Sequence, residues 1–194
     1  MVKIVLGSVV LAIVAAGGGL AFMYSGLADV AATSPHWALT RWVLSTSMEK
    51  AVERQAKGIA TPAFLDEDER VRAGAVAYDA MCAPCHGAPG VKPGVVGKGL
   101  NPEPPELADV ADRWSPEEIF WITEHGIRMT GMPAFGPVHS DEELWEVVAL
   151  VKRLPVMSAA EYRALLPAPA GPERGHGHAH EHEGGRTHDH GDSR

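Results

Sequence analysis

The sequence predicts an all-α protein with a membrane-spanning helix near its N-terminus. Residues 4–28 carry no charged side chain, and an apolar run of about 20 residues is long enough to cross a bilayer as a helix. Farther along, Ser-x-x-Glu sequences precede apolar stretches, which is the pattern of a capping box that opens a helix. They begin at Ser115, Ser140 and Ser158. Loops rich in Gly and Pro separate these segments, so we expect helices joined by irregular connections.

Residues 1–28 are predicted to form a transmembrane anchor. Lys3 precedes the apolar run and Asp29 follows it, which by the positive-inside rule places the N-terminus in the cytoplasm and the remainder outside. A cleaved secretory signal is the alternative, because residues 26–28 read Gly-Leu-Ala, a small-x-small cleavage pattern. The apolar run exceeds the roughly 7–15 residues usual in a signal, which favours the anchor.

Residues 29–65 are predicted to be a helical spacer. Ser34 followed by Pro35 is typical of a helix start, with serine as the N-cap and proline at the first helical position. Trp37 and Trp42 would lie in the first turns of this helix, close to the membrane. Indole rings suit a membrane interface, but they equally suit packing against the following domain. The sequence leaves both interpretations open.

Both cysteines of the chain lie in the sequence Cys82-Ala-Pro-Cys85-His86. A C-x-x-C-H sequence spaces two thiols so that they can add across the vinyl groups of one haem, with the histidine beneath the iron. The C-x-P-C pattern also occurs in thioredoxin-like oxidoreductases, but that interpretation requires a βαβ context. Helical spacing precedes the motif and no β-branched strand precedes it, so we expect one covalent haem c with His86 as an axial ligand.

A methionine followed by proline occurs downstream, at Met132-Pro133. With the C-x-x-C-H motif, this pair makes the chain similar to a monohaem class I cytochrome c of the bacterial membrane-anchored type. The resemblance implies that Met132 is the second axial ligand, so that the haem iron would have His86 and Met132 as its ligands. Met129 is the alternative, but it lacks a following proline to restrict the backbone before it.

The resemblance covers residues 66–166, the predicted haem domain with a class I cytochrome c fold. Its first helix would end at Cys82 and would cross the last helix at Gly74, where a glycine costs about 1 kcal/mol relative to alanine. Residues 87–107 are predicted to be a loop without regular structure. In this family such a loop wraps the propionate side of the haem. The residues that would contact the ring are Leu100, Pro104, Pro105 and Leu107.

Side chains with N–H donors are candidates to bind the haem propionates, because a partly buried carboxylate needs a cation or an N–H partner. They are Arg113, Trp114, Trp121 and Arg128. Two further histidines are weaker candidates as ligands. His125 lies at a helix end and His139 just before an N-cap, and both positions are typical of solvated or capping residues.

Residues 167–194 are predicted to be a disordered tail, since they consist largely of Pro, Gly, His and acidic residues. The histidines of this tail are His176, His178, His180, His182, His188 and His190. Alternating His-x-His sequences can bind divalent metals such as Cu²⁺, Ni²⁺ or Zn²⁺ weakly. A solvated tail without a dedicated metal is the other interpretation, and the sequence does not separate them.

A formal net charge of −8 argues against nucleic-acid binding, and no nucleophile, base or oxyanion site is evident. We therefore expect an electron carrier rather than an enzyme, exchanging single electrons with redox protein donors and acceptors. It would sit in a bacterial inner membrane with the haem domain on the periplasmic side. The alternatives are a haem enzyme or gas sensor with a labile sixth ligand, and a metal-handling protein that uses its histidine tail.

Overall fold

A computed structural model describes residues 1–168, in which the regular secondary structure is helical and no strand is longer than an isolated bridge. The α-helices of this range are α1 (Val2–Tyr24), α2 (Ala38–Gln55), α3 (Asp68–Met81), α4 (Ala83–His86), α5 (Val95–Lys98), α6 (Leu107–Val110), α7 (Pro116–His125), α8 (Asp141–Arg153) and α9 (Ala159–Leu165). The predicted all-α fold class is confirmed. The predicted tail lies outside the described residues from residue 169 onward, and its six histidines lie there too.

Helix α1 is the apolar N-terminal helix that the sequence predicts. None of its residues is buried against the rest of the protein. By length and composition it is able to cross a membrane, and it is the single such helix among residues 1–168. A signal sequence passes the same test.

The start of α2 differs from the prediction. The helix begins at Ala38 rather than at Pro35, and Ser34 does not cap it. The Ser34 N–H instead donates a hydrogen bond to the Ala31 carbonyl oxygen at 3.1 Å, and the Ala31 N–H donates to the Asp29 carboxylate at 2.9 Å. The side-chain amide of Asn101 also donates to the Ser34 carbonyl oxygen at 2.8 Å. These contacts hold residues 31–34 in a turn, so the helix starts one turn later.

Helix α2 packs on α7 through one face only. Val52 and Ala56 are buried on that face, with 1% and 5% of their surfaces exposed. Trp37 and Trp42 remain 83% and 63% exposed. The two indoles therefore do not pack into the following domain. The other interpretation, that they lie at a membrane interface, stays a prediction.

The core is built around the crossing of α3 and α8, which is the most extensive helix pairing among the described residues. At the crossing, a Cβ atom on Gly74 would lie 1.9 Å from the carbonyl oxygen of Glu146. Only a glycine permits this approach without moving one of the backbones. Trp145, next along α8, stacks on Phe120 of α7 with ring centroids 4.4 Å apart. The helix crossing that the resemblance implied at Gly74 is present.

Three helices of the domain begin at the capping boxes that the sequence predicts. In each, the serine hydroxyl accepts a hydrogen bond from the backbone N–H three residues later, and the glutamate accepts one from the serine N–H. The pairs are Ser115 with Glu118, Ser140 with Glu143, and Ser158 with Glu161. These caps fix where α7, α8 and α9 start.

Candidate functional site

A large apolar cavity lies between the C-x-x-C-H segment, the loop that follows it, α7, α8 and the loop after α7. Its volume is about 700 Å³, within the range of small-molecule and cofactor sites. The predicted site residues that line it are Cys82, Cys85, His86, Met132, Leu100, Pro104, Pro105, Leu107, Trp114 and Arg128. The structure thus brings the four predicted haem-binding residues to one cavity.

The C-x-x-C-H segment forms a tight turn at the end of α3. Cys82 is the C-cap of that helix, and its carbonyl oxygen accepts hydrogen bonds from the N–H groups of Cys85 and His86 at 3.0 and 2.8 Å. Both thiols are free and half-buried. This turn carries two thiols and an imidazole on one wall of the cavity.

The environment of Cys82 is unlike that of a redox-active dithiol. Burial, with a smaller contribution from Cys85, raises the pKa of the Cys82 thiol to about 12. Oxidoreductases of the thioredoxin type need the opposite, because the attacking sulfur must be a thiolate near neutral pH. The βαβ context that such an enzyme requires is also absent from residues 1–168. The thioredoxin-like interpretation of the motif therefore has no support here.

His86 is oriented by the loop that follows the motif. Its Nδ1 lies 2.8 Å from the Pro105 carbonyl oxygen, and since a carbonyl can only accept, Nδ1 carries the proton. Nε2 is then the unprotonated nitrogen, the form of imidazole that binds a metal. Burial lowers the pKa of His86, and the bond to Pro105 opposes that shift. Burial is the larger effect, so the pKa of His86 is lowered overall, while the bond to Pro105 fixes the orientation of the ring.

Tyr78 fixes the chain just after the motif. Its hydroxyl, which is buried, donates a hydrogen bond to the Gly87 carbonyl oxygen at 2.7 Å, and burial raises the pKa of the phenol well above its usual value. The ring of Tyr162 meets that of Tyr78 edge-on, with centroids 6.3 Å apart. Through Gly87, the core therefore holds the end of α4 in place.

The loop after the motif contains regular structure that the sequence did not predict. Helix α5 packs directly on the motif, because a Cβ atom on Gly97 would lie 2.6 Å from the Cys85 carbonyl oxygen. The Gly94 N–H also donates to the Pro84 carbonyl oxygen at 2.9 Å. The prediction of an entirely irregular loop at residues 87–107 is wrong, because Gly97 lets a short helix approach closely. The signal in the sequence that could have predicted this close packing was the spacing of Gly94 and Gly97.

Met132 is held in a closed turn. Its carbonyl oxygen accepts from the Ile127 N–H at 3.3 Å, and its own N–H donates to the Thr130 hydroxyl at 3.1 Å. Met132 is half-buried and lines the cavity. Met129 also borders the cavity, but it is 75% exposed and has a left-handed backbone with φ of 63°. The turn therefore presents Met132 inward and Met129 largely outward.

Gly126 makes this turn feasible. It ends α7 with φ of +66°, a conformation that other residues rarely adopt. A Cβ atom there would also lie 2.6 Å from the carbonyl carbon of Pro133. The Phe135 N–H then bonds back to the Thr123 carbonyl oxygen at 3.1 Å. The chain is thereby folded back over the end of α7, which carries Met132 to the cavity.

The candidate propionate donors divide into two pairs. Trp114 and Arg128 line the cavity, whereas Trp121 stacks on His125 with centroids 4.8 Å apart. Arg113 is exposed and is not part of the described cavity lining.

The two weaker histidine candidates lie apart from the cavity lining. His125 is engaged by the Trp121 carbonyl oxygen, which lies 3.1 Å from its Nδ1. His139 has its Nδ1 3.8 Å from a carboxylate oxygen of Glu143. As the sequence suggested, both behave as residues of helix ends rather than as ligands.

One part of the cavity wall was missed by the sequence analysis. Residues of the segment that precedes the domain also line the cavity, among them Pro35 and His36. Arg41, Leu44 and Met48 on α2 do the same. Their spacing of three and four residues is that of one helix face, which was the available signal, but it does not reveal which partner that face meets.

The donor set and the cavity fit a covalent haem. Two free thiols and an imidazole share a wall of the cavity, a thioether lines the same space, and the remaining lining is mainly aliphatic and prolyl. Cys82, Cys85, His86 and Met132 are the residues that would hold the group. Among residues 1–168, no cluster of three or more His, Cys, Asp or Glu side chains is arranged to hold a separate metal ion.

Comparison with known proteins supports this assignment. Residues 69–151 match the family described as cytochrome C oxidase, cbb3-type, subunit III. The match begins in α3, includes the C-x-x-C-H motif and the methionine turn, and ends within α8. No curated protein and no solved structure matches the chain significantly.

Proposed function

We propose that the protein carries single electrons through one haem c, held by a class I cytochrome c domain that includes residues 69–151, the segment that matches a cytochrome c oxidase subunit family. The observation that supports this most directly is the single cavity lined by Cys82, Cys85, His86 and Met132. When bound, the haem supplies a one-electron couple between ferric and ferrous iron. A histidine and methionine pair favours a high potential for that couple.

The residues of the chain have three roles in this proposal. Cys82 and Cys85 hold the group covalently, so that it cannot dissociate between partners. Pro105 keeps His86 in one tautomer and one orientation through the bond to Nδ1. The apolar lining excludes water, which keeps the reorganisation of solvent small when the charge of the site changes. None of these roles requires a bond to a substrate, and we propose an electron carrier rather than an enzyme.

The location that we propose is the exported face of a bacterial inner membrane, with α1 as the anchor. Lys3 before α1 and Asp29 after it favour a cytoplasmic N-terminus. The exposed indoles of Trp37 and Trp42 support a membrane interface near the start of α2, because such rings are favoured where an apolar layer meets water. The haem domain would then lie close to the membrane surface.

Redox proteins that donate and accept electrons are the partners required by this function. The description of the matched family refers to a subunit of a cytochrome c oxidase. A membrane-bound oxidase of that kind is therefore the first partner to test.

Covalent attachment is tested by staining the denatured protein for haem on a gel. Wild-type protein should stain, and acidified organic solvent should not extract the haem. Cys85→Ala should give little stable holoprotein. His125→Ala is the matched control for His86→Ala, since His125 lies outside the cavity lining, and only the His86 variant should lose the native spectrum. Extraction of all haem from wild type would refute the proposal.

Anchoring is tested by sequencing the N-terminus of the mature protein and by washing membranes with high salt. A mature chain that begins at residue 1 or 2 and stays with the membrane is expected. A mature N-terminus near Asp29 would show that the segment is a cleaved signal.

A further inference from the structure

Helix α2 forms a wall of the haem cavity although it lies outside the matched family segment. Arg41, Leu44, Ser45 and Met48 line the cavity, and the spacing between them places all four on one face of the helix. The same face continues to Val52, which is buried. The helix is thus seated on the domain at one end and borders the cavity at the other.

The chain before α2 is also tied to the domain. The side-chain amide of Asn101, itself a cavity-lining residue, donates to the carbonyl oxygens of Ala32 and Ser34 at 3.1 and 2.8 Å. Arg41 therefore lies on a helix held at two points, by Asn101 before its first turn and by Val52 in its last turns. Its position over the cavity is set by these contacts.

The cavity lining has an excess of arginine. Among residues 1–168, the arginines that line the cavity are Arg41 and Arg128, and the carboxylate that lines it is that of Glu103. Neither arginine makes an ion pair with any residue in the range 1–168. Arg41 is exposed as well as lining the cavity, so it lies where the cavity meets solvent.

A haem carries two propionate groups, and these are the anions that a cation at the cavity mouth would meet. A carboxylate at the edge of an apolar cavity is stabilised by a charge-assisted hydrogen bond. Arginine suits this role better than lysine, because its planar guanidinium can donate two parallel hydrogen bonds to one carboxylate.

We propose that Arg41 binds a haem propionate and so holds α2 in place over the haem edge. The inference rests on the proposed function, since it requires a haem in the cavity. It extends the haem site to a helix that precedes the cytochrome c domain. A cation bound to a propionate would also favour the ferrous state, which carries one positive charge less than the ferric state.

The test compares Arg41→Gln with Arg54→Gln in the full-length haem-loaded protein. Arg54 is on the same helix, in its last turn, and does not line the described cavity, so it is a matched control for the loss of one positive charge. The measurements are the midpoint potential of the haem and the rate at which a protease cuts α2. Arg41→Gln should lower the potential and speed cleavage. Arg54→Gln should leave both close to wild type.

Equal potentials and equal cleavage rates for the two variants would overturn the proposal. If Arg41→Gln accumulates no haem, Arg41→Lys decides. If Arg41→Lys restores haem incorporation, the result supports the proposal, because this variant retains the positive charge. If both variants fail to incorporate haem, the proposal is overturned, because a positive charge would then not be what the cavity requires. Absence of covalent haem from wild type would instead refute the proposed function, so the two failures are distinguishable.

Discussion

The Nδ1 atom of His86 and the carbonyl oxygen of Pro105 are 2.8 Å apart, although 19 residues separate them in the chain. This bond links the C-x-x-C-H turn to the far end of the proline-rich loop. The bond holds this end of the loop against the cavity. In turn, the Pro105 carbonyl selects the tautomer of His86. The loop thus orients His86, the proposed ligand, in addition to covering the cavity.

Replacing each of the two methionines by alanine should identify the axial ligand. Met132→Ala should abolish the weak far-red charge-transfer band of the ferric protein, lower the potential, and allow the reduced protein to bind carbon monoxide. Met129→Ala should retain the band, because Met129 is 75% exposed. The measurements are optical spectra and a redox titration. Loss of the band in the Met129 variant alone would transfer the role of ligand to Met129.

Removal of the Tyr78 hydroxyl should destabilise the holoprotein. Tyr78→Phe leaves the buried Gly87 carbonyl without its partner, which costs about 1–3 kcal/mol of unfolding free energy. Tyr162→Phe is the control, since the hydroxyl of Tyr162 binds the exposed Asp79, where water can replace it. Denaturant unfolding of both variants gives the comparison. Equal losses of unfolding free energy in the two variants would show that the bond from Tyr78 to Gly87 contributes no more than the bond from Tyr162 to Asp79.

A methyl group at the helix crossing should be poorly tolerated. Gly74→Ala would place its Cβ 1.9 Å from the Glu146 carbonyl oxygen, so α3 and α8 must separate, at a cost of about 2 kcal/mol or more. Gly99→Ala is the matched control, because a Cβ atom there meets its nearest neighbour at 3.5 Å. Thermal unfolding of the two holoproteins measures the difference. A Gly74 variant as stable as the control would contradict the close crossing.

The cap of α8 should make stability depend on pH. Hydrogen bonds from the backbone and then the side chain of Ser140 lower the pKa of Glu143 below 4.5. A depressed carboxyl pKa stabilises the fold above the unfolded value, and this contribution is lost as the pH falls through the folded pKa. Glu143→Gln should therefore differ from wild type at neutral pH and converge with it in acid.

Unfolding free energies measured from neutral pH down to below 4.5 test this prediction. Glu49→Gln, on the exposed side of α2, is the control and should follow wild type throughout. A constant difference between Glu143→Gln and wild type would show that ionisation of Glu143 does not contribute.

Local features of the site could be predicted because their signals are local. The spacing of Cys82, Cys85 and His86 within one turn is a property of five consecutive residues, and each capping box spans four. Met132 with Pro133 is equally short. Gly74 was inferred through the resemblance, and the structure gives its reason in the Glu146 carbonyl.

The tertiary structure decided what depends on contacts between distant residues. Ser34 and Pro35 have the local pattern of a helix start, but hydrogen bonds with Ala31 and Asn101 hold Ser34 in a turn. The short helix that contains Gly97 packs directly on Cys85, a contact that the local sequence does not reveal.

The sequence by itself determined the haem-binding motif, the capping boxes that open α7, α8 and α9, and the apolar N-terminal segment, because covalent spacing, capping and apolar run length act within a few turns of chain. Only the tertiary structure decided that α2 lies beside the haem cavity and that Arg41 faces it. The apolar face of α2 is too weakly marked to identify its partner, so its place depends on burial of Val52 and Ala56 against residues far along the chain.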